Sequence, residues 1–223
     1  MGARKVLGSA IPGRALALVL AATVLAGPSL AQEAAVTYQE GRHYVRLPTP
    51  VETRNPDRIE VVELFSYGCI HCFNFDPAVE RWLETVPDDV DFRRVPAVFN
   101  AYWAALAQAF YTAELLDVLG EVHTPIFEGV HVYRLEMNRE QLLARLFERE
   151  ADVEPDEFLR VFNSFGVQSR VRKADASTRM YRATGVPTMI VNGTYRIETD
   201  MAGGQEQMLD VVDYLVATIR AAE

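Results

Sequence analysis

The sequence predicts an α/β domain that is interrupted by an all-helical insertion. A strand, a helix and a second strand come first along the chain, and a run of helical periodicity without strand signals follows them. A strand hairpin and a last amphipathic helix then complete the sheet-containing part. The predicted segments are residues 32–99 for the first part of the α/β domain, 100–180 for the helical insertion, and 181–223 for the second part.

The composition is that of a folded globular protein. The chain has 223 residues, of which 49% are hydrophobic and 24% are charged. This length suits one elaborated domain or two small ones. The formal net charge is −9 and the sequence contains no block of basic residues, so nucleic acid is not expected to be a partner.

Residues 1–31 are predicted to be a signal peptide that is cleaved after Ala31. Three basic residues accompany an apolar run over 15–26, and small residues at 29 and 31 suit a signal peptidase. The apolar run is too short for a transmembrane helix, which needs about 18 residues. The mature protein is therefore expected in an oxidising, exported compartment.

The strands of the first half are predicted from apolar runs. Residues 58–65 are almost continuously apolar, which is typical of a strand buried on both faces. A short extended segment at 44–47 precedes them and suits a sheet edge. The helix after residue 69 is expected to kink or restart at Pro77. Residues 90–96 would then form a second strand, parallel to the first.

The insertion is predicted as consecutive helices. The first begins at Ala101 and is expected to stop at Gly120, and a short helix follows over 125–133. Asn138 and Gln141 resemble a capping box for a helix over 139–148. A further helix is predicted to begin at Pro155, and a longer helix after it is predicted to end at Gly185. Asn192-Gly193 is predicted to form a type I′ turn, and a last helix is predicted after Gly204.

Cys69 and Cys72, the only cysteines, form a C-x-x-C pair directly after the first strand. Unpaired N–H groups of a helix that begins there would favour the Cys69 thiolate, and a protonated His71 would add positive charge. A structural disulfide is disfavoured, because closing so short a loop removes little entropy from the unfolded chain. Zinc is also disfavoured and no metal is predicted, since a second ligand pair is missing. The pattern favours a redox-active dithiol.

Glu63 interrupts the apolar strand six residues before Cys69. It could face solvent on an alternating strand, but apolar neighbours on both sides make a buried position at least as well supported. A buried carboxyl near the thiols would have a raised pKa and could relay protons to them or tune them.

Several short motifs accompany this arrangement of strands and helices. Gly-Val-Pro-Thr at 185–188 precedes the hairpin and the last helix, and four further motifs are Cys-Ile-His-Cys at 69–72, Pro-Ile-Phe-Glu-Gly at 125–129, Asn-Ser-Phe at 163–165 and Val-Asn-Gly-Thr-Tyr at 191–195. With its strand, its C-x-x-C helix and the later Gly-Val-Pro-Thr, the chain resembles the thioredoxin fold. The helical insertion and the four motifs narrow the resemblance to the DsbA family of periplasmic thiol:disulfide oxidoreductases, over nearly the whole chain after residue 31.

The resemblance implies a role for each residue of the site. Cys69 would be the exposed sulfur that a substrate thiolate attacks, Cys72 the buried resolving partner, and His71 a group that stabilises the thiolate. Pro187 would be a cis-proline facing the disulfide, and Val186 would offer its backbone to an extended substrate. Glu63 falls at the position of the family's buried acid.

Two departures from the family pattern are expected to matter. Ile70 stands where the family usually has proline, which restores a backbone N–H near the sulfurs and puts the oxidant strength in question. Arg94 stands where a lysine is expected to pair with Glu63. An arginine keeps its proton, so it could neutralise Glu63 without sharing in proton transfer.

The resulting expectation is a periplasmic, monomeric dithiol oxidase. It would donate the Cys69–Cys72 disulfide, its only redox group, to reduced exported polypeptides, and a DsbB-type membrane quinone reductase would reoxidise it. A disulfide reductase or isomerase on the same scaffold is an alternative, although no segment is left for the separate dimerisation domain that isomerases usually have. A non-catalytic binding module for unfolded exported chains is a second alternative, and such a module would not require an intact C-x-x-C.

Overall fold

The computed structural model of the protein describes residues 1–3, 8 and 37–222. The predicted cleavage point at Ala31, and nearly all of the predicted signal peptide, lie outside these residues. Within the described ranges, no helix is both long enough and apolar enough to cross a membrane.

Five strands form one mixed sheet in the order β1-β5-β4-β2-β3. The central strand β2 pairs in parallel with β3 and antiparallel with β4. The strands are β1 (Val45–Arg46), β2 (Ile59–Phe65), β3 (Val90–Pro96), β4 (Thr188–Val191) and β5 (Tyr195–Glu198). The predicted parallel β-α-β unit and the predicted edge position of the first short strand are confirmed.

Strand β2 is buried along its whole length, as its apolar sequence predicts. Val62 and Leu64 belong to a core cluster shared with the helical segment, whereas Val61 belongs to a second cluster. Helices α1 (Ile70–Leu83) and α8 (Gln205–Arg220) supply much of that second cluster. Because successive side chains of a strand point to opposite faces, β2 is covered on both sides.

Five helices lie in sequence between β3 and β4, in the region predicted to be helical. They are α2 (Ala101–Leu116), α3 (Leu119–His131), α4 (Glu140–Ala151), α5 (Pro155–Phe162) and α6 (Phe165–Met180). A further short helix, α7 (Thr199–Ala202), follows β5.

Several predicted helix boundaries are wrong, among them the start of the short helix predicted over 125–133, since α3 begins at Leu119 and ends at His131. Helix α2 stops at Asp117, which adopts a left-handed conformation (φ 57°) and donates its N–H to the carbonyls of Ala113 and Glu114, so Gly120 falls inside α3. Helix α4 begins without any side-chain cap, so the capping box at 138–141 does not form. Helix α6 ends at Met180, five residues before Gly185.

Pro77 neither ends nor restarts α1, which runs through it from Ile70 to Leu83. Phe75, on one side of the proline, and Val79 and Trp82, on the other, are all buried in the same core cluster. Burial of both halves against the sheet supplies the stability that the missing backbone hydrogen bond would remove.

The hairpin between β4 and β5 has the predicted type I′ geometry. Asn192 (φ 48°) and Gly193 (φ 57°) both have the positive φ that this turn requires. Glycine is also required at residue 193 for steric reasons, because a Cβ there would collide with the carbonyl group of Val51. The antiparallel pairing of β4 with β2 places Thr188 opposite Leu64, and this pairing brings Pro187, directly before β4, to the end of β2.

Candidate active site

The end of β2 and the start of α1 position the dithiol. Cys69 is the N-cap residue of α1, with extended backbone angles (φ −102°, ψ 116°), and its carbonyl accepts the N–H of Phe73 at 3.1 Å. Its own N–H donates to the carbonyl of Ser66 at 3.0 Å, which closes the turn after the strand. The sulfur of Cys69 therefore lies beside the unpaired N–H groups of the first turn of α1.

The two cysteines are free thiols with different exposure. Cys69 is 9% exposed, whereas Cys72 is completely buried. The expectation of an exposed first sulfur is met only in relative terms, since Cys69 itself is largely covered. A partner thiolate can reach Cys69 and has no path to Cys72.

Their surroundings separate the two pKa values widely. A hydrogen bond from the Cys72 thiol is the largest of the influences that lower the pKa of Cys69 to about 6. Partial burial opposes this, and the backbone N–H groups of Cys72 and His71, together with the charge of His71, add smaller contributions. Burial raises the pKa of Cys72 well above its ordinary value. At neutral pH Cys69 is a thiolate and Cys72 a thiol.

The peptide bond between Val186 and Pro187 is cis and faces this pair, as the family resemblance implies. The carbonyl oxygen of Val186 lies 3.4 Å from the sulfur of Cys69. A groove of about 600 Å³ opens beside them and contains His71, Val186, Pro187 and Gln205 in its lining. The structure thus brings the predicted thiols and the predicted substrate-contact residues together.

His71 and Ile70 lie on the open side of the dithiol. His71 is exposed, and its backbone carbonyl accepts a hydrogen bond from the Gln205 side chain at 2.6 Å. Ile70 is 44% exposed, and its N–H has no hydrogen-bond partner in the described part of the chain. This link between α1 and α8 through Gln205 is a feature that the sequence alone did not indicate.

Glu63 is buried (1% exposed) in the middle of β2, which decides between the two positions considered for it. Arg94 is its register partner on β3 and donates from Nε to Glu63 Oε2 at 2.9 Å, as predicted. Burial raises the pKa of Glu63 to about 7, and the guanidinium only partly opposes this. Arg94 is shared with Asp76 (3.0 Å) and Glu80 (2.8 Å), so its single charge is divided among three carboxyl groups.

A buried chain of polar groups extends from Arg94 to the turn before Cys69, and sequence analysis missed it. Asp76 Oδ1 lies 3.0 Å from Nε2 of His123, and Nδ1 of His123 lies 2.8 Å from the hydroxyl of Tyr67. Burial lowers the pKa of His123, so the neutral ring accepts from Tyr67 and donates to Asp76. The histidine comes from α3, 47 residues after Asp76, and no local motif links them.

Asp76, Glu80 and His123 also have the donor set of a cation site, since their ligand atoms lie within 4.8 Å of one another. The guanidinium of Arg94 bonds both carboxylates and supplies the positive charge there. The group is therefore explained as part of the ion-pair network.

A C-x-x-C pair at the start of a helix, opposite a cis-proline that directly precedes a neighbouring strand, defines a thiol:disulfide oxidoreductase of the thioredoxin fold. A family model described as the DSBA-like thioredoxin domain matches residues 60–216. The chain belongs to this DsbA family, so the fold and the reaction class predicted from the sequence are confirmed.

Relatives and solved structures agree on the family. A thiol:disulfide interchange protein DsbA of Azotobacter vinelandii is 42% identical over 183 residues, which cover 82% of this chain and 85% of the relative. The DsbA of Pseudomonas aeruginosa is 41% identical over 185 residues, covering 83% of this chain and 87% of the relative. A crystal structure of P. aeruginosa DsbA superimposes with a TM-score of 0.79 at 40% identity, covering 83% of this chain and 96% of that one. The oxidoreductase DsbA of Xylella fastidiosa gives a TM-score of 0.78 at 34% identity, covering 82% and 98%.

Proposed function

We propose that this protein donates the Cys69–Cys72 disulfide to reduced exported polypeptides. The observation that carries the proposal is the stabilised thiolate of Cys69, whose pKa of about 6 makes it a good leaving group. A stabilised thiolate favours the reduced enzyme, and a favoured reduced form makes the disulfide an oxidant.

The reaction is two successive thiol–disulfide exchanges. A substrate thiolate attacks Cys69, the bond to Cys72 breaks, and the Cys72 sulfur leaves with the electron pair. A second substrate thiolate then attacks the substrate sulfur of the mixed disulfide, and Cys69 leaves as a thiolate. The substrate loses two electrons in forming its disulfide, and the enzyme gains them as a dithiol.

Glu63 is proposed to handle the proton of the buried thiol. Cys72 needs a proton when it leaves, because its raised pKa makes a buried thiolate unfavourable. A carboxyl with a pKa of about 7 is half protonated at neutral pH and is suited to supply that proton. Arg94 would keep Glu63 in place without taking part, since a guanidinium retains its proton.

The substrate is proposed to bind as an extended segment along Val186 and Pro187. The groove beside them supports this, because it also contains His71 next to the reacting sulfur. His71 would assist by its positive charge, which favours the Cys69 thiolate.

The cellular setting is proposed from the family. After removal of residues 1–31 the protein would act in the periplasm as a monomer, with residues 100–180 as a helical insertion in the thioredoxin-like domain. Its own disulfide would be the only redox group, and a DsbB-type membrane quinone reductase would restore it.

The deciding experiment is the reduction potential of the Cys69–Cys72 pair, measured by equilibration with glutathione buffers. A potential well above that of thioredoxin supports the oxidase, and one near thioredoxin would turn the direction toward reduction. Cys72→Ser should accumulate mixed disulfides when it is mixed with a substrate that contains a disulfide, because the Cys69 thiolate attacks that bond, one substrate sulfur leaves as a thiolate, and no Cys72 thiol is present to release the enzyme, whereas Cys69→Ser should form none. If Cys69→Ser retained full activity on unfolded exported chains, the protein would be a binding module instead.

A further inference from the structure

A second cavity lies away from the thiols, where the edge strand β3 meets α2 and α6. Its volume is about 310 Å³. Five basic side chains line it, and Glu114 is the single carboxylate in its lining. The basic residues are Arg54, Arg93, Arg94, Arg170 and Lys173. So dense a positive lining runs against the net charge of −9 of the whole chain.

Three of these arginines hold carboxylates with only part of their guanidinium groups. Arg54 bonds Asp91 through Nε (3.2 Å) and Nη2 (2.5 Å), and Arg93 bonds Glu60 through the same two nitrogens (2.9 and 3.3 Å). None of these acidic partners lines the cavity.

The third of these arginines, Arg94, bonds its carboxylates through Nε and Nη2 as well. Within the described residues, Nη1 of Arg54, Arg93 and Arg94 makes no hydrogen bond, and none of these atoms is among the buried polar atoms that lack a partner. The Nη1 groups are therefore free to donate to a ligand.

The α6 side of the cavity adds two more cations. Arg170 donates from Nη1 to Glu114 at 2.9 Å and keeps Nε and Nη2 available. Lys173, one turn of helix further on, has no ion-pair partner in the part of the chain that the structure describes. Among the described residues, Lys173 therefore places an ammonium group without an ion-pair partner beside guanidinium groups that keep unbonded N–H donors.

We infer that this cavity binds a small oxyanion of the phosphate or sulfate class. Guanidinium groups suit such a ligand because their fixed N–H groups match pairs of oxyanion oxygens, and a lysine adds a point charge. The ligand would be held between β3 and α6, away from the groove that contains Pro187. Arg94 lines the cavity and also donates to Glu63, so its guanidinium group would separate the bound anion from the buried carboxyl group of Glu63.

The test is calorimetric titration of the purified protein with potassium phosphate and with sulfate, at an ionic strength held constant with chloride. Saturable binding to one site is expected. Lys173→Met and Arg170→Met should each weaken it by about three- to tenfold, the range for loss of a partly exposed charge contact. Arg172→Met is the matched control, because Arg172 lies on the same helix but packs over the ring of Phe165. It should bind like the unmodified protein.

A second pair of variants tests the opposite sign. Glu114→Gln removes the one carboxylate of the lining and should tighten binding, whereas Glu157→Gln changes the net charge equally but removes an exposed partner of Arg160 on α5. Glu157→Gln should have no effect. The inference is overturned if phosphate and sulfate give no saturable heat up to about 20 mM, a limit above the millimolar range of weak specific sites. It is also overturned if each variant and its control change binding equally, since that result would reflect net charge alone.

Discussion

Replacing Glu63 with glutamine should change how the stability of the reduced protein depends on pH. Glutamine has nearly the shape of a protonated glutamate, and its side-chain oxygen can still accept from Nε of Arg94. What it removes is a titrating proton inside the central strand. Because Glu63 is 1% exposed, solvent screening of this effect is minimal.

The size of the effect follows from the pKa. Burial raises the pKa of Glu63 from an ordinary value of 4.5 to about 7, and one pKa unit corresponds to about 1.4 kcal/mol. Between pH 4.5 and pH 7 the unfolded chain gives up this proton while the folded protein keeps it. Folding stability therefore falls as the pH rises through that window, by about 3 kcal/mol in total, and the loss is complete above pH 7.

The Glu63→Gln variant lacks this loss. Its free energy of unfolding should exceed that of the unmodified protein by an amount that grows from near zero at pH 4.5 to about 3 kcal/mol at pH 8. Urea denaturation of both proteins under reducing conditions at a series of pH values measures the difference, and titration of Cys69 cancels because both proteins contain it. Glu157→Gln, at an exposed site, should give a difference near zero at every pH. A Glu63→Gln difference that is independent of pH, or that shrinks toward pH 8, would refute the reasoning.

Three further substitutions test the surroundings of the thiols. His71→Ala should raise the pKa of Cys69 modestly, because the charge of His71 is the smallest of the influences that lower this pKa. Thiolate absorbance during a pH titration measures the change, and an unchanged pKa would remove His71 from the mechanism. Ile70→Pro should leave the free energy of unfolding unchanged or raise it by about 0.4–1 kcal/mol. The N–H of Ile70 is unbonded, and Cys69 already has the extended backbone angles that a following proline requires. A loss above about 1 kcal/mol in thermal or urea unfolding would contradict this expectation. Gly68→Ala should lower the free energy of unfolding by about 1–3 kcal/mol and alter the fluorescence of Trp103, because the added Cβ would lie 2.6 Å from Nε1 of that indole. An unchanged fluorescence spectrum would show that the indole is not displaced.

The features that sequence analysis predicted correctly depend on short stretches of chain. The burial of β2 follows from an unbroken apolar run, and the turn at Asn192-Gly193 from two residues that tolerate positive φ. The position of Cys69 at the start of α1 follows from a motif directly after a strand. In each case the residues that decide the structure are neighbours in sequence.

The incorrect helix boundaries show where local signals fail. Gly120 is a suitable stop signal, but Asp117 ends α2 earlier and Gly120 lies in the first turn of α3, where a glycine is tolerated. Pro77 is a helix breaker by itself, yet burial of both halves of α1 overrides it. The local preferences that favour one helix end over another are weak, so packing energies of a few kcal/mol decide where a helix ends.

The sequence by itself therefore determined the class of fold, the reacting thiols and the family to which the chain belongs. Only the tertiary structure decided the balance of charges around them. It placed His123 of α3 between Asp76 and Tyr67, divided Arg94 among three carboxyl groups, and gathered five basic residues around one cavity. These contacts join residues that are far apart in sequence, and electrostatic energies depend on distance and burial, which no local pattern contains.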